Sequence, residues 1–193
     1  VRNFDADPNR YAGLLAHTEH YLGSVTPDAE PKTGGRNRGF TIGFHTHPRF
    51  GMVSAVTTGV RFRNLTTDLP QEFVVSALPE QRDEAAYLLH VVADRVVVGG
   101  RGYEYGGGYI NIEPLIPGSG IEFLLAWTHP YTDDGFDLYR DEHDEPALRY
   151  ITLIPATRAE FEFARDRDDP LPLLELWESH ETLLLDIYRP SAI

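Results

Sequence analysis

The order in which strand-like and helix-like apolar patterns follow one another narrows the fold of this chain more than any other feature. Phe40-Thr41-Ile42-Gly43-Phe44 alternates apolar with small or polar residues and reads as a strand. Val53 to Phe62 is rich in β-branched residues and reads as a second strand, with a bulge or turn near Gly59. Gln71 to Leu78 is a third, with apolar residues on both faces. Pro79 then opens a helix from about Gln81 to Val97, which Gly99-Gly100 stops. Short strands follow at Tyr109 to Glu113 and Ile121 to Trp127, and Phe136–Tyr139 with Leu148–Ile154 reads as a hairpin around an acidic turn. Thr157 and Glu160 have the spacing of a capping box, so a helix begins there. Leu171 to His180 makes another, and Leu183 to Ile187 is a last strand or extended tail. Ahead of all this lie a loose arm over the first nine residues, a helix from Arg10 to Tyr21 and a loop over 23–38. No regular βαβ period emerges. The expected fold is therefore α+β, a mixed and mainly antiparallel sheet layered with helices in one domain spanning 1–193.

Charge and composition exclude several kinds of function. The net charge is -13, which disfavours nucleic acid and anionic membrane as partners and favours a basic protein. Between Thr132 and Asp186 there are 16 acids against 5 arginines. The chain has no cysteine, so thiolate metal sites and cysteine nucleophiles are ruled out. Its apolar runs are too short to span a bilayer as a helix, and no signal peptide is recognisable. A cytoplasmic location is the expectation.

The C-terminal third adds a family resemblance. Leu148-Arg149-Tyr150-Ile151-Thr152-Leu153-Ile154-Pro155 runs into a helix with Glu160 and Phe161, then into leucine-rich Leu171 to Trp177. The chain closes on Asp186-Ile187-Tyr188-Arg189-Pro190-Ser191. This resembles the end of the suppressor-of-fused domain, where a strand ending in an apolar-Pro turn leads to an acidic helix and an Asp-x-x-Arg-Pro-Ser close. The resemblance is clearest over 50–193. It implies a suppressor-of-fused-like fold and a domain that binds another protein without catalysis. Bacterial members of that family look like immunity proteins that neutralise a cognate toxin of a polymorphic toxin system. A regulatory scaffold that sequesters an endogenous basic protein is the related alternative. For the contact surface, the acidic residues Asp133, Asp134, Asp141, Glu142 and Asp144 are candidates, together with Tyr103, Tyr105 and Tyr109 of the glycine-rich segment. Tyrosine supplies large contact area at little entropic cost.

One motif points to chemistry instead. His45-Thr46-His47-Pro48 resembles the zinc motif of JAMM metallopeptidases, and residues two apart on a strand share a face. The third ligand of that motif, an Asp, is absent: Thr57 takes its place, and no carboxylate lies between Gly43 and Arg63. No cofactor or metal is therefore expected, with His45 and His47 as the alternative metal pair. The remaining expectations are structural: exposed histidines at 45, 47, 129, 143 and 180, core tryptophans at 127 and 177, a mobile glycine-rich loop over 99–108, and Arg189 paired with Asp186 or capping the fold.

Overall fold

In the computed structural model, residues 8–26 and 39–193 are described. Their framework is an eight-stranded sheet in the order β1-β2-β3-β4-β8-β6-β5, with β7 pairing β8 beside this path. The strands are β1 (Ser24–Thr26), β2 (Thr41–Thr46), β3 (Val53–Thr58), β4 (Gln71–Ala77), β5 (Gly108–Ile110), β6 (Ile121–Trp127), β7 (Leu138–Arg140) and β8 (Pro146–Thr157). Every pairing is antiparallel except β4 with β8. That parallel pair closes the centre of the sheet, and all seven residues of β4 are buried. The absence of alternation in Gln71 to Leu78 thus has a simple cause: helices cover both faces.

One face is covered by α2 (Arg82–Gly99). Its Leu88, Leu89, Val92 and Val96 pack with Phe44, Phe73 and Val75 in the largest core cluster. Gly100 ends the helix in the left-handed region, at φ 66°, and its N–H returns to Val96 O. The opposite face is shared. Leu14 and Leu22 of α1 (Leu14–Leu22) pack with Val56, Val74, Phe136 and Tyr150. Further along, α3 (Arg158–Arg165) and α4 (Leu171–Ser179) cover Phe123, Leu125, Ile154 and Ala156.

Several local expectations change. Residues 24–26 form an edge strand rather than a loop, because Val25 N–H is captured by Glu19 and the segment pairs with Phe44 to Thr46. The rest of that expected loop, 27–38, and most of the expected N-terminal arm lie outside the described residues. The strand expected over Val53 to Phe62 stops at Thr58. Gly59 turns the chain at φ 117°, and a 3-10 turn, Val60–Phe62, follows. That turn is held from below by the buried Glu72 carboxylate, which accepts from Thr57 Oγ1, Gly59 N, Val60 N, Arg61 N and Arg61 Nη1. A side chain at Gly59 would meet Gly39 O at 2.7 Å, so no other residue fits there.

The C-terminal tail is not a strand. It is pinned across the start of α2, where Gln81 donates to Asp186 at 2.6 Å and accepts from Ile187 N at 2.7 Å. Arg189 pairs with Glu160 rather than Asp186, in a buried two-pronged bridge at 2.7 and 2.9 Å. The same carboxylate accepts from Trp177 Nε1, Thr157 N and Ala192 N. Burial alone would raise its pKa. The Arg189 guanidinium and these donors outweigh burial and hold it below the usual range. The capping box at Thr157 and Glu160 forms as the spacing requires.

Candidate functional site

Two places among the described residues bring functional residue types together. The first is a polar row on the sheet face opposite α2. His45 of β2 pairs in register with Ser54 of β3, and Ser54 with Ser76 of β4. His129, just beyond β6, completes the row through a 2.8 Å contact from Nε2 to Ser76 Oγ, and the two serine hydroxyls are 2.7 Å apart. His45 and His129 are each only 4% exposed, so both are buried rather than surface residues. Phe44 and His45 are both buried, Phe44 in the cluster under α2 and His45 against Gly23 at the end of α1.

The hydrogen-bond partners fix what these histidines can do. His129 Nδ1 accepts from Tyr131 N, which leaves the proton on Nε2, and that N–H donates to Ser76. A base that activates serine must accept its proton, so this arrangement runs the wrong way for a nucleophile. Burial, with His47 nearby, lowers the His129 pKa to about 3, so the ring stays neutral. Beside it, Asp137 accepts from His129 N, and burial raises its pKa to about 7.

Of His45 and His47, only His45 keeps a ring lone pair that a metal could use. His45 donates Nδ1–H to Gly23 O at 2.8 Å. His47 Nδ1 accepts from Arg49 N and Phe50 N and stabilises the turn after β2, which puts its proton on Nε2. Its lone pair is thus already used. Among the described residues no group of three or more His, Cys, Asp or Glu is placed to hold a metal. A zinc peptidase also needs a general-base glutamate; Glu19 accepts from Val25 N, and Glu30 lies outside the described residues.

The second place is an open groove of about 500 Å³ between the end of β6 and the end of α4. Half-buried Trp127 and Tyr131 form its aromatic surface above the buried Trp177, and Leu174 and Leu183 its aliphatic sides. Glu178 and Glu181 stand on its rim, and among the described residues no Lys or Arg lines it. The chain builds it by reversing direction after α4. Glu181 takes the left-handed conformation at φ 49°, and Thr182 N–H bonds back to Trp177 O. The tail then runs beside the helix, with Leu184 N–H held by Tyr131 Oη at 3.0 Å. Of the three consecutive leucines, Leu184 and Leu185 are buried, whereas Leu183 is 50% exposed over the groove. Trp127 is backed by Tyr105, with ring centroids 5.7 Å apart.

The residues singled out from sequence are spread between these places. Tyr103, Tyr105 and Tyr109 are half-buried against the main core. Their segment is tied down: Gln71 donates to Tyr103 O and accepts from Tyr103 N, and Arg149 pairs with Glu104. Asp133 and Asp134 are exposed ahead of Phe136. Asp141 organises its own turn by accepting from His143 N and Glu145 N, with Glu142 and Asp144 exposed around it. Trp177 lies in the core as expected, at 2% exposure, and half-buried Trp127 packs against the same cluster; what sequence reasoning missed is that Trp127 also borders an open groove. No local signal marks it, because the exposure of Leu183 follows from the turn at Glu181.

No family model matches the sequence, and no curated protein matches it. Solved structures do. A suppressor-of-fused homologue from Neisseria gonorrhoeae FA 1090 is 19% identical, with a TM-score of 0.67 over 98% of this chain and 97% of that one. The crystal structure of the Sufu–Fu complex contains a chain 13% identical, with a TM-score of 0.68 over 96% of this chain and 93% of that one. The α+β sheet described above is therefore the suppressor-of-fused-like fold.

Proposed function

We propose that this chain is a non-catalytic protein-binding domain that acts in the cytoplasm as an immunity protein, neutralising a cognate toxin by occlusion. The observation that carries the reading is the likeness, over nearly the whole chain, to a protein solved in complex with its partner Fu. Two further features support it. The serine and histidine side chains that would be needed for hydrolysis are engaged in holding the fold. A net charge of -13 suits a basic partner, and the steering it provides speeds encounter. Calorimetry against the product encoded beside this gene, in an inactivated form, tests it. Tight one-to-one binding that weakens with salt is expected. Failure to bind would refute the immunity role.

A further inference from the structure

We propose that the groove between β6 and α4 is the docking site for a basic, apolar-anchored peptide segment of a protein partner, held by its aromatic floor and acidic rim. The proposal rests on the protein-binding reading and adds the place and the chemistry of recognition. Three observations point to this occupant.

The groove presents apolar surface that the fold leaves unfilled. Leu183 is 50% exposed beside half-buried Trp127 and Tyr131. Exposed aromatic and aliphatic surface with a polar edge is the composition of protein recognition sites. The surface is also rigidly supported. Trp177 is anchored by the buried Glu160–Arg189 bridge, Tyr131 is tied to the tail at Leu184, and Trp127 rests on Tyr105. Preorganised aromatic groups of this kind make the anchors of interfaces, because little entropy is lost on binding. Finally, the charge is one-sided. Glu178 and Glu181 face the groove with no cation lining it among the described residues. An arginine or lysine next to an apolar anchor would pair with these carboxylates and lie over the indole or phenol faces. The same rim repels acidic segments, anionic lipid and a second copy of this chain, itself at -13.

A randomised peptide library displayed on phage and selected against the full chain is the direct test, followed by anisotropy titrations of the enriched peptides. Enriched sequences should combine Arg or Lys with Trp, Phe or Leu. Leu183→Glu and the pair Glu178→Lys with Glu181→Lys should each weaken binding about thirtyfold or more, the loss typical of an interface hot spot. Ile112→Glu, at an exposed position outside the groove, should leave binding unchanged. Each variant should keep the parent melting temperature, since all these side chains are exposed. No enrichment, enrichment of neutral or acidic peptides, or equal binding by the Leu183→Glu protein would overturn the proposal. Peptide binding that obeys these rules while the adjacent gene product fails to bind would leave the groove standing and remove the immunity role. Binding of that product by Leu183→Glu as strong as by the parent would do the reverse.

Discussion

The polar row at His45, Ser54, Ser76 and His129 and the groove at Trp127, Tyr131, Trp177 and Leu183 are opposites. The row contains the residue types that enzymes use, yet each hydrogen bond it makes is turned inward: Nδ1 of His129 to Tyr131, Nε2 to Ser76, His45 to Gly23. Among the described residues the groove is lined by no Ser, Cys, His or Lys, yet it leaves apolar faces and charges without partners inside the fold. Function is better read from what a side chain has left over after folding than from its identity. Buried polar groups with complete partners add specificity to a core, whereas unsatisfied surface seeks a ligand.

Four perturbations would break or sharpen this contrast. The largest effect is expected from Arg189→Ala. It strands the fully buried Glu160 carboxylate beneath Trp177, and loss of one partner of a buried pair costs about 3–5 kcal/mol. Urea unfolding would measure it, and partner binding should fall with it because the groove wall rests on this bridge.

Next is pH. The Asp137 pKa rises from 3.8 to about 7 in the fold, so its contribution to stability is full in acid and is lost as pH climbs through that range. The His129 pKa falls from 6.5 to about 3, so its contribution is present above the unfolded value and is lost as pH drops. The two slopes oppose one another over the range they share. Asp137→Asn should remove one of them, leaving stability that rises with pH up to the His129 unfolded value. Above neutrality it should add roughly 2–4 kcal/mol, the cost of holding a buried charge. A series of unfolding midpoints against pH reads both.

Ser76→Ala is the third. It leaves the His129 Nε2–H without an acceptor, and an unsatisfied buried donor costs about 1–3 kcal/mol. Binding by the folded protein should be unaffected. The smallest stability change belongs to Leu183→Glu, within about 0.5 kcal/mol, as for other exposed substitutions. That variant should nevertheless lose the partner.

The fold was legible where local chemistry and tertiary context agree. Thr157 and Glu160 announce a helix start that forms as expected, and Pro79 and Gly100 bracket α2. The apolar run at Gln71 to Leu78 correctly implied burial on both faces. Expectations failed where long-range partners decide. Nothing near Ser24 to Thr26 in sequence signals a strand, because its pairing partner is Phe44 to Thr46. Arg189 has an acid three residues away, yet its partner is Glu160, 29 residues earlier. His129 sits between Thr128 and Pro130 and resembles a loop residue, but the contact with Ser76 draws it into the core. The groove was invisible for the same reason: it depends on the left-handed turn at Glu181 bringing Leu183 beside Trp177 and Trp127.

The contrast is tested most directly by titrating one partner protein into Leu183→Glu and Ser76→Ala side by side. Recognition through the groove predicts that Leu183→Glu keeps its stability and loses affinity about thirtyfold, while Ser76→Ala loses stability and keeps its affinity. Undiminished binding by Leu183→Glu, together with loss of function in folded Ser76→Ala, would place the function in the polar row and contradict it.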